Sequence, residues 1–230
     1  MELKPVAHIE TDFPTKFGVP RQSGLVKGLK GRIVFEPEYR DPEALRGLEG
    51  FSHIWLLWDF SEARVSNSES TNSKFRATVR PPRLGGNKRM GVFATRSPYR
   101  PNNIGLSSVR ILGIELHTPD GPVIEVEGAD LMNGTPIFDI KPYLPFTDSH
   151  PDAIAGFTEE TSDNQISAVH FSNEILSAFD EEHIGALREI LLSDPRPHYH
   201  DDANRVYAFE FAGKEVKFRI NKSKIDAWIE

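Results

Sequence analysis

Three polar stretches of this 230-residue chain carry residue types that strand packing does not explain. In "VPRQSGLVKG" (19–28), Arg21, Gln22 and Ser23 lead into a turn at Gly24, where side chains and backbone N–H groups can converge on a ligand. In "ATRSPYRPNNIGLSS" (94–108), Arg96, Ser97, Tyr99, Arg100, Asn102 and Asn103 lie in a loop stiffened by Pro98 and Pro101. The third stretch, "ADLMNGTPIFDIKPYLPF" (129–146), sets an Asn-Gly turn beside Asp139, Lys141 and Tyr143, with Pro136, Pro142 and Pro145 restricting its backbone. Cations, amides and a carboxylate on rigid loops suit the capture of a small polar ligand.

Other chemistries lack their residues. Zero cysteines exclude disulfides, thiol nucleophiles and cysteine-containing zinc sites, and fit a reducing compartment. Among eight histidines only His198 and His200 are close, which does not make a metal site, so none is expected. His8 and His53 fall inside strand patterns and read as structural. Neither G-x-G-x-x-G nor G-x-x-x-x-G-K-[ST] occurs, so no Rossmann or P-loop nucleotide site is supported. A hydrolase built on Ser, His and Asp would want a G-x-S-x-G elbow, which is also missing.

The net charge of −7 argues against indiscriminate coating of nucleic acid. Its distribution is uneven: residues 1–150 hold 19 basic and 18 acidic side chains, residues 151–230 hold 8 and 16. From Lys74 to Arg110 there are nine basic residues and no acid, either a solvated face or a surface for phosphates. No apolar run reaches a membrane span and "MELKPVAHIE" is unlike a signal peptide, so the expected location is the cytoplasm.

The elements that must position these loops are short strands. "VAHIE" (6–10), "GRIVFE" (31–36), "SHIWLLWDF" (52–60), "FRATV" (75–79), "GVFAT" (91–95), "SSVRILGIELH" (107–117) and "PVIEVEGADL" (122–131) are rich in β-branched and aromatic residues. One short helix is expected over 41–48, with Asp41 as its cap and Pro42 in the first turn. The fold class expected is mainly β, a barrel or sandwich over residues 1–149. A linker, 150–165, then leads to a small α+β unit, 166–230, with one helix over 172–194 capped by Ser172, a stop at "DPRP" (194–197), and a hairpin formed by "RVYAFEF" and "EVKFRI".

"RPPRLGGNKRMGVFATRSPYRPNNIGLSS" and "NGTPIFDIKPYLPF" closely resemble the TsaA-like, or TrmO, family, which N6-methylates threonylcarbamoyladenosine beside the anticodon of tRNA. The likeness is strong over about 5–149 and continues through "DPRPHY" (194–199) and the final hairpin. It implies an antiparallel, non-Rossmann β-barrel that binds S-adenosylmethionine, and a homodimer with the cofactor near the subunit boundary. By the same resemblance Gln22, Ser23 and Gly24 form the first cofactor loop, Arg96 and Leu106 belong to the second, and Leu131, Met132, Asn133, Gly134 and Thr135 to the third. Ser61 and Glu62 stand where some relatives have His-Gln, Ser23 where proline is common, and Asn133 where aspartate is.

Methylation of an acylated N–H needs an aligned nucleophile and a destination for a proton. Asp139 is then a candidate base or orienter, Lys141 an electrostatic stabiliser and Tyr143 a stacking or hydrogen-bonding group. Alternatively Asp139 and Lys141 pair and brace their loop. Arg80, Arg83, Lys88, Arg89 and Arg100 are candidate tRNA contacts. Two other functions remain open on the residues: a barrel that binds RNA or a nucleotide without chemistry, and a methyltransferase with a different acceptor.

Overall fold

The computed structural model describes residues 3–63, 75–81, 84, 88–159, 166–196, 202 and 204–229. Six strands close into an antiparallel barrel in the order β1 (Ala7–Thr11), β2 (Lys30–Phe35), β7 (Gly121–Glu127), β6 (Ile104–Thr118), β3 (His53–Asp59) and β8 (Thr135–Pro142). Period-two alternation turns Ile9, Ile33, Ile54, Leu56, Val109, Ile124, Val126 and Ile137 inward to form one apolar core. Closure removes the exposed edges that a flat six-stranded sheet would carry.

β8 lies in a stretch that sequence reading treated as a loop, yet it seals the barrel by pairing with both β1 and β3. Pro136 and Pro142 stand near its ends, where a missing ladder donor matters least. "GVFAT" (91–95), expected as a strand, is mostly a 3-10 turn, Val92–Ala94, after the two-residue β5 (Met90–Gly91), which pairs with β4 (Thr78–Val79). The Thr95 N–H and hydroxyl both donate to the Val92 carbonyl, at 3.1 and 2.8 Å, and so take it from any ladder. The expected 41–48 helix is likewise 3-10 over Pro42–Leu45, with Asp41 accepting from Glu43 N at 3.0 Å.

The C-terminal unit is a four-stranded sheet, β10 (Val206–Phe211), β11 (Lys214–Asn221), β12 (Lys224–Trp228) and β9 (Ala168–Phe171), the last pair parallel. Its expected single helix is two, α1 (Asn173–Ala178) and α2 (Glu181–Leu192). Ser172 caps the first as expected. Extended Phe179 breaks the run, and Asp180 caps the second by accepting from His183 N at 2.8 Å.

Between β1 and β2 the chain leaves the barrel and lies against this second sheet. Phe13, Val26 and Leu29 are buried in the same cluster as Phe211, Phe218, Leu187 and Ile190, with Phe17 and Val19 packed on it. Gly18, at φ +99°, lets the excursion turn against Phe209, whose ring would lie 2.5 Å from an added Cβ.

Inside the barrel, Gly105 of β6 faces Trp58, whose indole would be 2.2 Å from a Cβ at that position. Gly105→Ala should therefore lower stability by about 1–3 kcal/mol through overpacking. Gly91→Ala, where nothing lies within 4 Å, should stay within about 0.5 kcal/mol of the parent. Urea unfolding of both variants checks this: equal midpoints would mean the ring yields freely.

Candidate cofactor and substrate site

The excursion between β1 and β2 brings the first polar stretch to the second. Arg96 donates through Nη1 to Gln22 Oε1. Gly24, at φ +74°, donates its N–H to the Gly128 carbonyl at 2.9 Å, and its free side lies open. The loop carrying Arg96 is braced internally: Tyr99 N donates to Ser97 Oγ (3.2 Å), and Asn103 Nδ2 to the Pro98 carbonyl (2.6 Å). Arg100 Nη1 donates to the carbonyls of Thr95 (2.9 Å) and Ser97 (3.4 Å), so Arg100 belongs to the loop's own bracing. Pro98 and Pro101 thus fix a loop that leaves Arg96 exposed, along with Tyr99 and Asn102.

Between these loops stands Asp130, a residue that sequence reading did not single out. Its Oδ1 accepts from Ser107 Oγ at 2.5 Å, and Ser107 accepts from Trp58 Nε1 at 3.0 Å inside the barrel. Burial pushes the Asp130 carboxyl above its ordinary value, against the pull of the Ser107 hydroxyl, the Arg96 charge and the Ser23 N–H. A buried polar chain therefore runs from the barrel interior to Gln22, Ser23 and Arg96.

The third stretch divides. Leu131 is inside the barrel core, and its carbonyl accepts from Thr11 Oγ1 at 3.2 Å. Asn133 Oδ1 accepts from Thr11 N at 3.0 Å, Asn133 N donates to the Phe13 carbonyl at 2.8 Å, and Gly134 N to that of Ile9 at 2.7 Å. Thr135 donates through Oγ1 to the Met132 carbonyl at 2.8 Å. Residues 131–135 are thus a turn clasped to the end of β1, and the Asn133 side chain is engaged in that clasp.

Asp139 and Lys141 lie on the outer side of β8, and Tyr143 follows its last residue. Asp139 and Leu106 both register with Leu57 of β3, so these two outward side chains are about 10 Å apart, two strand spacings. Lys141 Nζ meets Asp139 Oδ2 at 2.9 Å, the pairing foreseen as the alternative to a catalytic arrangement. Tyr143 packs on Trp55 with ring centroids 5.5 Å apart, and Trp55 Nε1 donates to Asp148 Oδ2 at 2.8 Å. That bond and the Leu144 N–H hold the Asp148 carboxyl below its ordinary value. Ser61 and Glu62 follow β3, where Phe60 N donates to the Asn103 carbonyl at 2.9 Å, placing them by the foot of the Arg96 loop.

Of the basic candidates, Arg80 and Lys88 are exposed, and Arg89 Nε donates to Thr78 Oγ1 at 2.9 Å. Arg83 lies outside the described residues, as do His198 and His200. Among the described residues no group of three His, Cys, Asp or Glu could hold a metal ion, and no helix is long and apolar enough to cross a membrane.

A family model described as the tRNA-methyltransferase O N-terminal domain matches residues 8–149, and the TrmO C-terminal domain matches 164–227. The chain is 37% identical over 235 residues to the tRNA (adenine(37)-N6)-methyltransferase of Escherichia coli, covering 99% of this chain and 96% of that one. It is 39% identical over 205 residues to a putative S-adenosylmethionine-dependent methyltransferase, RcsF, of Pseudomonas aeruginosa, covering 86% and 82%. The crystal structure of TrmO from Pseudomonas aeruginosa superposes with a TM-score of 0.74 at 30% identity, covering 99% of this chain and 97% of that one. Matched along both its barrel and its C-terminal unit, this chain belongs to the TrmO family of tRNA methyltransferases.

Proposed function

We propose that this protein is an S-adenosylmethionine-dependent methyltransferase that modifies N6 of threonylcarbamoyladenosine beside the anticodon of tRNA, acting as a cytoplasmic homodimer. The observation that carries this reading is the meeting of Gln22, Ser23, Arg96 and Asp130 at one mouth of a non-Rossmann barrel, beside the outward Leu106.

These residues fit the cofactor's groups. Arg96 is exposed and has given one N–H to Gln22, so its remaining donors suit a carboxylate. Leu106 offers apolar surface to a flat heterocycle, and open Gly24 leaves backbone accessible beside it. Gln22–Gly24, Arg96, Leu106 and the 131–135 turn would hold S-adenosylmethionine, with Ser61 and Glu62 at the periphery. When bound, the cofactor supplies an electrophilic methyl group.

The chain's own residues then have separable tasks. Asp139 accepts or orients the N6 proton, and Lys141 faces the threonyl carboxylate, whose arrival competes with Asp139 for the same ammonium. Tyr143, packed at a tilt against Trp55, extends an aromatic surface for a base. Arg80, Lys88 and Arg89, with Arg83 in the same basic run, meet phosphates. Residues 1–149 carry the chemistry, and 166–230 support it across the linker. Leu106, Leu112 and Leu116 leave apolar groups exposed along β6, which favours a second copy of the chain there. A binder of RNA without chemistry would have no use for S-adenosylmethionine, so titration with it separates the two readings.

Arg96→Ala should weaken S-adenosylmethionine binding about tenfold, the size of one charge-assisted hydrogen bond, with folding unaffected. Calorimetry checks this, and an unchanged affinity would reject the site. Transfer of labelled methyl groups should occur to tRNA bearing threonylcarbamoyladenosine and not to the same transcript lacking it, whose plain adenosine leaves Lys141 without its carboxylate. Equal labelling of both would assign a different acceptor.

Asp130 makes a pH prediction. Its folded-state pKa is raised by burial, so its contribution favours the fold while the carboxyl is protonated and is lost as pH rises through the raised value. Relative to Asp130→Asn, the parent should lose stability as pH rises above the ordinary aspartate range. Urea midpoints of both proteins across that range test the sign, and a gap that stays constant with pH contradicts it.

A further inference from the structure

Residues 21 to 24 are held from two sides. Gly24 is bonded to Gly128 and Gln22 to Arg96, both on the barrel, and the Ser23 N–H faces the Asp130 carboxyl there closely enough to lower its pKa. Arg21 turns the other way. Its Nη2 donates to the backbone carbonyls of Asp194 (3.1 Å) and Arg196 (3.3 Å), in the turn that follows α2 of the C-terminal unit.

That turn is a fixed point. Asp194 and Arg196 are both buried, and Arg196 Nε donates to the two Asp194 carboxylate oxygens at 3.1 and 3.0 Å. Asp194 takes a left-handed φ of +51°, unusual outside glycine, with its N–H bonded to the Leu191 carbonyl at 3.1 Å. A buried ion pair adds little net stability but imposes one geometry. Here the geometry imposed is that of the two carbonyls presented to Arg21. Lys27 N donates to Glu189 Oε2 at 2.6 Å, Lys30 pairs with Glu182 at 2.8 Å, and Phe13 and Val26 are buried beside them, so both flanks of the loop are docked on the same unit.

We propose that Arg21 is a positioning residue through which the Asp194–Arg196 turn of the C-terminal unit sets the Gln22–Gly24 loop for S-adenosylmethionine. This rests on the reading above that Gln22–Gly24 hold the cofactor. The C-terminal unit thereby enters cofactor affinity without touching the cofactor. Coupling is reciprocal, so cofactor binding also steadies the Asp194–Arg196 turn.

The test uses the full chain with Arg21→Ala and Arg21→Lys, and Arg96→Ala as reference. Arg21 is exposed, so both of its substitutions should fold, with thermal midpoints no more than about 4 °C below the parent's. In Arg21→Ala the Kd and KM for S-adenosylmethionine should rise together by about three- to tenfold, the size of one or two lost neutral-acceptor hydrogen bonds. At saturating cofactor, kcat and the KM for tRNA should stay within about twofold of the parent. Arg21→Lys should recover part of the affinity, since an ammonium can donate to these carbonyls but lacks the fork. Added S-adenosylmethionine should slow amide exchange over 190–196 in the parent and not in Arg21→Ala. Weakened binding in Arg96→Ala with unchanged binding and exchange in Arg21→Ala overturns the proposal and leaves the cofactor assignment standing. Unchanged binding in both variants overturns the assignment and the proposal together.

Discussion

The segment between β1 and β2 has to satisfy two cores at once, and the rest of the molecule is arranged around that constraint. Its ends belong to barrel strands, while Phe13, Val26 and Leu29 are buried against the C-terminal sheet and α2. Each of those side chains contributes about 1.5–3 kcal/mol by leaving water, so the excursion is anchored more firmly than its length suggests. Its tip, with Gln22 to Gly24, has few apolar contacts of its own. A polar loop can be exposed and still well placed when both of its flanks are buried.

The polar chain from Trp58 through Ser107 to Asp130 meets this loop from the barrel side. Trp58 and Ser107 are interior residues of adjacent strands, and their hydrogen bond satisfies the indole N–H that burial would otherwise leave without an acceptor. Ser107 then turns its hydroxyl proton to Asp130, which lies within the fields of the Ser23 N–H and of Arg96. The same carboxylate thus orders the first loop and balances the charge of the second. Gly105 is part of this arrangement, because only a residue without a Cβ leaves room for the Trp58 ring.

Legibility followed the range of the interactions. β1, β2, β3, β6 and β7 are readable because alternation is local and each has one face in the core. β8 was obscured by its prolines and by a polar outer face, Asp139 and Lys141, that resembles a loop composition. The 91–95 segment has strand residues but loses its ladder to the Thr95 hydroxyl. Gln22, Ser23 and Arg96 stood out because nothing in local packing explained them. Asp130 did not, since "PVIEVEGADL" reads as a strand end and its partners Ser23, Arg96 and Ser107 are remote in sequence. Asn133 shows a second long-range effect: its side-chain oxygen accepts from Thr11 N, 122 residues away, a clasp that no local pattern signals.

Charge, too, acts locally. An overall −7 would repel RNA if a phosphate felt the whole molecule, but at physiological ionic strength fields decay over about 8 Å. A phosphate near Arg80 or Lys88 therefore responds to the charges within that range and not to the sum over the chain, and in sequence these two side chains lie in the acid-free stretch from Lys74 to Arg110. The 16 acidic residues of positions 151–230 all fall outside that stretch of sequence. An acidic unit joined to a neutral barrel with one basic run thus narrows the orientations in which a polyanion can settle. The same acidic unit also holds Arg21, so the part of the chain that carries the excess negative charge is the part that anchors the flank of the loop beside Arg96.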